Sequence, residues 1–297
     1  MRPNTVAVAD PSESRDYYFI AGLPRSGSTL LSAILRQNPR FHASMTGPIA
    51  SLFKSLIATV SSGSEISSLV TTEQRRRLAR GLFDNYYADM GTEIEAVFDT
   101  SRSWTAHLGA LVDLFPQARV ICCVRNVAWV MDSLERQFRQ HMFDNTSLFQ
   151  SDAERSTVFS RTETLAKPNR LVGFALAALT EALYSEHAHR LMIVDYDKLV
   201  AAPGQVLTQI YSFIEQPAFQ HDFDNVVFDA PSFDSQIGLS GLHRVYRKVE
   251  PRPRRTILPP DVFARFATMN VWDGLRQQSR TEKNPENKQD QSNLAAI

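Results

Sequence analysis

The sequence lacks an excess of charge of either sign, has little cysteine and contains no long hydrophobic run. Its 297 residues include 32 basic and 32 acidic side chains, so its formal net charge is zero. This balance gives no reason to expect nucleic acid as a partner, and any anion site must be local. The two cysteines, Cys122 and Cys123, are adjacent in an apolar run, which indicates core thiols in a reducing compartment rather than a disulfide framework.

Segments for secretion or membrane anchoring are also missing from the pattern. Residues 1–16 are polar and lack the apolar stretch of a signal peptide. The longest apolar stretch, residues 171–184, is too short to span a bilayer and contains Glu181. We therefore expect a cytoplasmic protein that binds no membrane. We also expect a flexible N-terminus over 1–16, one domain over 17–274 and a disordered polar tail over 275–297.

What the sequence does contain is an alternation of buried strands and helices. Apolar runs rich in β-branched residues predict strands at 17–21, 95–99, 119–124 and 190–196. Helical spacing predicts helices at 28–38, 104–115, 127–138, 171–187 and 202–214. The region 49–91 is also predicted to be mostly helical. This order is typical of an α/β fold of the P-loop type, with three layers in which helices flank a central parallel sheet. Residues 231–258 fit no regular element.

The first candidate site is the loop between the first strand and the first helix, in GLPRSGST. Gly22, Gly27 and Thr29 have the spacing of a phosphate-binding loop, but Ser28 stands where a nucleotide triphosphatase has lysine. Backbone N–H groups at such a turn and helix N-terminus bind anions. The hydroxyls of Ser26, Ser28 and Thr29 and the guanidinium of Arg25 are further donors. The missing lysine makes triphosphate chemistry a poor fit.

The second candidate site follows the strand at 119–124, in VRNVAWVMDS. The strand ends at Arg125 rather than at a magnesium-binding acid, and Ser133 lies about two helical turns later. A cation and a hydroxyl in these places suit a second phosphate, while the alternative is an arginine that forms an ion pair with Asp132 or Glu135. Together with the loop that lacks lysine, the pattern predicts a metal-free site for two anionic groups.

A third region, residues 238–255, is rich in arginine and contains two glycines. Such a run is by itself typical of a solvated loop. It becomes a candidate for binding because a ligand with two anionic groups is already predicted.

These motifs resemble those of sulfotransferases. GLPRSGSTLL looks like their 5′-phosphosulfate loop, and VRNVAWVMDS is similar to their 3′-phosphate motif. The resemblance covers roughly residues 17–40 and 95–270, and LFPQARVICCVRN and RLMIVDYDKLVAAPGQVL look most like tyrosylprotein sulfotransferases and their bacterial relatives. It implies a sulfotransferase-like fold and the donor 3′-phosphoadenosine-5′-phosphosulfate (PAPS).

The resemblance also implies roles for particular residues. Arg25 and the loop residues Pro24, Ser26, Gly27, Ser28 and Thr29 correspond to those that cradle the 5′-phosphosulfate. Arg125 and Ser133 correspond to those that hold the 3′-phosphate, and Arg247 and Lys248 lie on the counterpart of a late loop that closes over the nucleotide. The acceptor implied is a tyrosine in an acidic peptide or protein, with a small molecule or glycan as the alternative. Because relatives often dimerise, a homodimer is a further expectation.

The general base departs from the pattern of tyrosylprotein sulfotransferases. Met45 or Thr46 stands near the expected glutamate, and no carboxylate occurs between Phe41 and Phe53. An acceptor hydroxyl must still lose its proton as the new bond forms. Asp99, at the end of a predicted strand, is the first candidate for the base, with Arg102 beside the transferring group. His42 is the second candidate because its ordinary pKa suits this task.

Three further hypotheses follow from single features. The run RRRLAR at 75–80 predicts a basic groove for acidic peptides, with a solvated helix face as the alternative. Asp195, at the end of a buried strand, would be a magnesium ligand if the protein were a P-loop kinase. The absence of the glutamate base leaves open a protein that binds the nucleotide without catalysis.

Overall fold

The computed structural model describes residues 15–61, 63, 65–140, 148–228, 234 and 243–274. Most of the predicted flexible N-terminus and all of the predicted disordered tail lie outside the described residues. The first described residue, Arg15, is buried, and its guanidinium donates to the carbonyl oxygens of Tyr87 and Met90 at 2.7 and 2.6 Å. Arg15 and Asp16, which precede the boundary predicted after residue 16, thus contact the folded domain: Arg15 through these hydrogen bonds and Asp16 as the first residue of a strand.

A five-stranded parallel sheet forms the centre of the domain, with the strand order β2-β3-β1-β4-β5. The strands are β1 (Asp16–Gly22), β2 (Phe41–Ala43), β3 (Ala96–Thr100), β4 (Arg119–Val124) and β5 (Leu191–Asp195). In the register of the central strand, Ile20 lies opposite Thr100 on one side and Ile121 on the other. The predicted α/β class with a central parallel sheet is confirmed. The sequence patterns predicted no strand at the position of β2, which pairs with β3.

Alternate residues of each strand face two separate hydrophobic cores. Tyr17 and Phe19 of β1 point to one core, whereas Tyr18 and Ile20 point to the other. Cys122 and Cys123 divide between the same two cores, and both are buried free thiols. Burial on both faces explains why these strands read as continuous apolar runs, since neither face meets water.

Eleven α-helices in the described residues surround the sheet. They are α1 (Ser28–Leu35), α2 (Ile49–Val60), α3 (Thr72–Tyr86), α4 (Leu108–Leu114), α5 (Val127–Gln140), α6 (Asp152–Arg155), α7 (Val158–Ala166), α8 (Leu171–Leu183), α9 (Tyr196–Ala201), α10 (Pro203–Phe213) and α11 (Pro260–Ala267). The helix predicted over 104–115 is divided into a 3₁₀ helix, Arg102–His107, and α4. None of the helices in the described ranges has both the length and the apolar character needed to cross a bilayer.

Parallel strands bring the segments that follow them to one edge of the sheet. The glycine loop follows β1, Arg102 comes soon after β3, Arg125 comes directly after β4 and Tyr196 comes directly after β5. Ligands of open α/β sheets bind outside this carboxyl edge. The topology therefore gathers residues from four distant parts of the chain at the place where a site is expected.

Candidate active site

A cavity of about 630 Å³ lies at the carboxyl edge of the sheet. Its walls come from the segments after β1, β3, β4 and β5, from α5, α7 and α8, and from residues 243–254. Cationic side chains are numerous in these walls: Arg25, Arg102, Arg125, Arg161, Arg244, Lys248, Arg252 and Arg254. Only two acidic side chains of the described residues, Glu135 and Glu250, line the cavity. The local electrostatic environment therefore favours an anion although the whole chain is neutral.

The glycine loop contains three residues with positive φ angles: Gly22 at 109°, Arg25 at 59° and Gly27 at 94°. A Cβ atom on Gly22 would lie 2.0 Å from the carbonyl oxygen of Cys123, and one on Gly27 would lie 2.7 Å from the ring of Tyr196. Both glycines are thus required by close packing as well as by their backbone conformation. Gly27 is also the N-cap of α1, so the first N–H groups of that helix lie at the loop.

Most of the predicted loop residues line the cavity, but one does not. Pro24, Arg25, Gly27, Ser28 and Thr29 all belong to its walls. Ser26 is 1% exposed, and its hydroxyl lies 2.5 Å from the carbonyl oxygen of Leu23 and 2.8 Å from that of Cys123. The prediction that Ser26 donates its hydroxyl to the ligand is therefore corrected: the hydroxyl links the loop to β4.

Arg25, Arg125 and Ser133 lie together in the cavity wall. The Nε of Arg25 donates to the hydroxyl of Ser133 at 3.1 Å. The sequence analysis assigned Arg25 to the 5′-phosphosulfate of the donor and the pair Arg125 and Ser133 to the 3′-phosphate. In the structure a direct hydrogen bond joins the two motifs, from Arg25 to Ser133. Burial lowers the pKa of Arg25, repulsion by Arg125 lowers it further, and the carboxylate of Asp234 opposes both effects.

Arg125 does not form the ion pair considered as its alternative role. Asp132 instead accepts from Arg136 at 2.9 Å, and Glu135 accepts from Arg161 at 2.6 Å. The guanidinium of Arg125 lies over the ring of Tyr196, 4.2 Å from its centroid. Its Nε is buried and has no hydrogen-bond partner among the described residues. A buried donor without a partner is costly, so this atom indicates a site for an acceptor group.

The late basic segment contributes to the cavity, although partly through residues other than those predicted. Lys248 lines the cavity, whereas Arg247 does not, since its guanidinium donates to the side-chain oxygen of Asn225 at 2.6 and 3.2 Å. The predicted contact of Arg247 is corrected accordingly. Arg252 and Arg254 line the cavity in its place. The composition of the run indicated cations, but it did not indicate which of them face inwards.

Arg254 is held at the cavity by long-range contacts. It lies 3.3 Å from the carboxylate of Asp132, donates to the carbonyl oxygen of Trp129 at 3.0 Å and stacks over the Trp129 ring. Burial lowers its pKa, and repulsion by Arg125 lowers it further. Like Arg125, it has a buried Nε with no partner among the described residues. Repulsion between these cations would be relieved by an anion bound between them.

Asp99, the first candidate for the general base, is not among the described residues that line the cavity. Its side chain is fully buried, and its two oxygens accept hydrogen bonds from the hydroxyl of Tyr87 at 2.6 Å and from Nε1 of Trp104 at 2.7 Å. Burial raises the pKa of this carboxyl group, although the two hydrogen bonds oppose the shift. Asp99 was predicted to lie beside the acceptor as the base. Its contacts with Tyr87 and Trp104 instead favour a structural role in the aromatic core.

The other two candidates for the chemistry differ in position. Arg102 lines the cavity, as do Met45 and Thr46 in place of the family glutamate. His42 does not line it and packs with its ring centroid 5.7 Å from that of Tyr87. Burial, and then repulsion by Arg36, lowers the pKa of His42. The structure therefore brings Arg102 to the site and leaves His42 on the middle of β2.

Sequence reasoning missed a histidine–aspartate pair in the cavity wall. Nδ1 of His243 lies 2.5 Å from Oδ1 of Asp234, and the backbone N–H of His243 donates to Oδ2 at 3.0 Å. Asp234 is fully buried, and His243 lines the cavity with 17% of its side chain exposed. A carboxylate that holds one ring nitrogen orients the imidazole for proton transfer at the other. No local sequence motif marks this pair.

Asp195, the predicted magnesium ligand of the kinase hypothesis, caps a helix. Its carboxylate accepts from the backbone N–H groups of Asp197 and Lys198 at the start of α9. It does not belong to the described residues that line the cavity. Over the described ranges, no three histidine, cysteine or acidic side chains form a group that could hold a metal ion.

Comparison with known proteins identifies the family. Residues 18–221, more than half of the chain, match the sulfotransferase family. The chain belongs to this family and is a sulfotransferase, so the predicted resemblance is confirmed and the kinase hypothesis is wrong. The closer relation to tyrosylprotein sulfotransferases stays a prediction. A search of curated proteins found no match.

Solved sulfotransferases are similar in structure. The sulfotransferase domain of the Synechococcus PCC 7002 olefin synthase shares 19% identity at a TM-score of 0.47 over 86% of this chain and 94% of that one. The sulfotransferase domain from the curacin biosynthetic pathway shares 16% identity at a TM-score of 0.49, over 88% of this chain and 98% of that one. A sulfotransferase from Alicyclobacillus acidocaldarius shares 20% identity at a TM-score of 0.47, over 75% of this chain and 90% of that one.

Family membership implies PAPS as the sulfuryl donor, and the residues of the cavity fit it. The molecule has anionic groups at its 5′ and 3′ positions. The cavity offers the N-terminus of α1 and several arginines, of which Arg125 and Arg254 carry buried donors that lack partners among the described residues. Arg25, Arg125, Ser133, Lys248 and Arg254 are therefore the residues that would hold the donor.

Proposed function

We propose that this protein transfers the sulfuryl group of PAPS to the hydroxyl of an acceptor held in the same cavity, and releases adenosine 3′,5′-bisphosphate. The observation that carries this proposal is the convergence of Arg25, Arg125, Ser133 and Arg254 on one cavity at the glycine loop. The loop N–H groups and Arg25 stabilise the phosphosulfate end. Arg125, Ser133 and Arg254 stabilise the 3′-phosphate.

The cations have a catalytic as well as a binding role. In the transfer, the acceptor oxygen forms a bond to sulfur while the bond between sulfur and the bridging phosphate oxygen breaks. Negative charge develops on the leaving 5′-phosphate, and fixed donors aimed at that charge stabilise the transition state. Arg25 is suited to this task because the glycine loop and the contact with Ser133 fix its position.

His243 is the general base of the proposed mechanism. Asp234 engages Nδ1, so the acceptor proton passes to Nε2 as the oxygen–sulfur bond forms. The Asp234 carboxylate also stabilises the imidazolium that results. His243 lines the same cavity as Arg25, and the Asp234 carboxylate raises the pKa of Arg25. His243 thus takes the role that the sequence hypothesis gave to Asp99 or His42.

The finer hypothesis of a tyrosine acceptor in an acidic peptide rested on the resemblance and on the arginines of RRRLAR. These arginines lie on α3 and do not belong to the described lining of the cavity. Arg76 forms an ion pair with Asp113 at 2.7 Å, and Arg75 donates to the carbonyl oxygen of Ser67 at 2.9 Å. The helix therefore adds no support for a peptide groove at this site, and the tyrosine acceptor remains an alternative that the acceptor assay must test.

The test is turnover of labelled PAPS with a panel of phenols, alcohols, glycans and tyrosine peptides, with products identified by mass spectrometry. Calorimetry with adenosine 3′,5′-bisphosphate measures donor-site binding independently of turnover. We expect tight binding, and sulfated product from at least one hydroxyl acceptor with or without EDTA. Binding without any transfer would support a nucleotide-binding protein that lacks catalysis. Failure to bind the bisphosphate would refute the proposed donor site.

A further inference from the structure

Part of the cavity wall is apolar, and we call the space along this part the α5 lobe. It is lined by residues of α5, the segment after it, α7 and the start of α8: Met131, Leu134, Phe138, Leu148, Phe149, Leu165 and Leu171. All of them belong to, or pack against, the core on one face of the sheet. The apolar residues around Tyr196, which include Val200 and Val249, belong to the opposite core. The α5 lobe is therefore one distinct side of the cavity.

The two charged residues in the wall of the α5 lobe neutralise each other. Nε and NH2 of Arg161 donate to the two carboxylate oxygens of Glu135 at 2.8 and 2.6 Å. Glu135 also accepts from Arg139 at 2.8 Å, and NH1 of Arg161 donates to the carbonyl oxygen of Arg155 at 2.6 Å. Both residues of the pair are more than nine-tenths buried. Breaking such a pair to bind a charged ligand would leave a buried charge uncompensated.

The cation of this pair is further covered by an aromatic ring. The guanidinium of Arg161 lies over the Phe138 ring, 4.0 Å from its centroid. The donors and one face of the group are thus engaged within the protein. Among the described residues, the α5 lobe consequently offers apolar surface and no unsatisfied cation. An acidic peptide would find no matching charge here, whereas an apolar molecule would bury its surface favourably.

Helix α5 connects the lobe to the reacting groups. Ser133, which contacts Arg25, lies between Met131 and Leu134 on this helix. A molecule that fills the lobe therefore lies next to Ser133 and the Arg25 side chain.

Two cations of the cavity wall, Arg125 and Arg254, are assigned to the donor. Their charge is committed to the donor phosphates when both substrates are bound. Arg252 pairs with Glu250 at 3.4 Å. Arg102 and Arg244 lie on segments outside the α5 lobe.

We propose that the α5 lobe is the acceptor site, and that the acceptor is an uncharged molecule whose hydroxyl is carried by an apolar ring or chain. This inference rests on the proposed sulfuryl transfer and narrows it to one substrate class. The apolar body of the acceptor packs against α5, α7 and Leu148, while its hydroxyl faces Arg25 and His243. Specificity then arises from shape and burial rather than from charge.

The test compares 2-naphthol with an acidic peptide that contains one tyrosine, with labelled PAPS as the donor. We expect the protein to sulfate 2-naphthol and to leave the peptide unmodified. A preference for the peptide, or sulfation of neither probe, would overturn the inference. Protection from thermal unfolding by adenosine 3′,5′-bisphosphate is measured in parallel. If that protection is present when 2-naphthol fails, the acceptor assignment alone is wrong; if protection is absent, the proposed donor site fails with it.

A pair of variants locates the acceptor without relying on turnover alone. Leu148→Asp places a charge in the α5 lobe, and Leu69→Asp places the same charge at a leucine that is 79% exposed and does not line the cavity. Fluorescence titration with 2-naphthol in the presence of the bisphosphate should give a dissociation constant raised about tenfold or more by Leu148→Asp. Leu69→Asp should leave it unchanged, and both should keep the bisphosphate protection. Equal 2-naphthol affinity in the two variants would contradict the inference.

Discussion

Two parts of the cavity wall, the strand-end side and the C-terminal segment, are built in different ways. The strand-end side comprises residues 22–29 and Arg125, and the backbone of the sheet holds it in place. Leu23 donates its N–H to the carbonyl oxygen of Cys123 at 2.9 Å. Close packing leaves no room for a side chain at Gly22 or Gly27. The C-terminal segment, residues 243–257, has no helix or strand. Its position depends on distant contacts such as that of the Ile257 N–H with Asp132, at 2.7 Å.

This difference separates two kinds of functional residue. On the strand-end side, the residues that bind anions lie within a few positions of the motif that positions them. In the C-terminal segment, His243 and Arg254 depend on Asp234, Asp132 and Trp129, which are distant in sequence or lie outside any motif. We expect variants on the two sides to affect different steps, with donor binding set mainly by one side and proton transfer by the other.

The largest expected effect is that of His243→Ala, which removes the proposed base from the C-terminal segment. We expect kcat to fall about 10²- to 10⁴-fold, the usual contribution of general base catalysis. Calorimetry should show unchanged affinity for adenosine 3′,5′-bisphosphate. Imidazole added to the variant should restore part of the rate if the missing group is the base, whereas a purely structural role of His243 would show no rescue.

The next largest effect is expected from Arg125→Ala on the strand-end side. Loss of a charged donor to a phosphate should weaken binding of adenosine 3′,5′-bisphosphate about 10- to 100-fold. Arg254→Ala should weaken it less, because this guanidinium also pairs with Asp132. Arg247→Ala is the matched control, since Arg247 is bound to Asn225 outside the cavity and should have no effect. An Arg247→Ala loss as large as that of Arg125→Ala would contradict this assignment of the two sides.

A smaller effect on activity is expected from Asp99→Asn, which tests a carboxylate outside the cavity. The amide cannot accept from both Tyr87 and Trp104, so stability to denaturant should fall by about 1–3 kcal/mol. The folded variant should keep near-normal kcat. A loss of kcat comparable to that of His243→Ala, with the fold intact, would restore Asp99 as the base.

The same variant also tests the titration of Asp99. Burial raises the pKa of this carboxyl in the folded state above its unfolded value. The group therefore contributes stability that is present below its unfolded pKa and is lost as the pH rises through the raised folded pKa. Denaturant unfolding over a pH series should show this loss in the wild type and not in Asp99→Asn. Parallel pH curves would argue against the raised pKa.

The smallest effect is expected from a double variant of α3, Arg76→Ala with Arg77→Ala. Arg76 is paired with Asp113 at the surface, and neither residue lines the cavity. The KM for an acidic peptide and the KM for a neutral phenol should both stay unchanged. Steady-state kinetics that show a raised KM for the peptide alone would instead support the basic groove predicted from RRRLAR.

The sequence by itself determined the fold class and the strand-end side of the site. Buried apolar strands predicted the parallel sheet. The glycine spacing, and Arg125 with Ser133, predicted the anion site, because each of these patterns is contained in a short stretch of sequence. The strand β2 was missed because it is only three residues long and pairs with β3 far along the chain.

Only the tertiary structure decided which polar residues reach the cavity. Asp99 and Asp234 are both fully buried carboxylates, yet one supports Tyr87 and Trp104 while the other supports His243. Arg247 and Lys248 are adjacent, yet only Lys248 lines the cavity. The physical reason is that a side chain's role depends on which distant groups satisfy its hydrogen bonds and cover its surface. Local sequence fixes the backbone pattern, whereas those partners are set by how the whole chain packs.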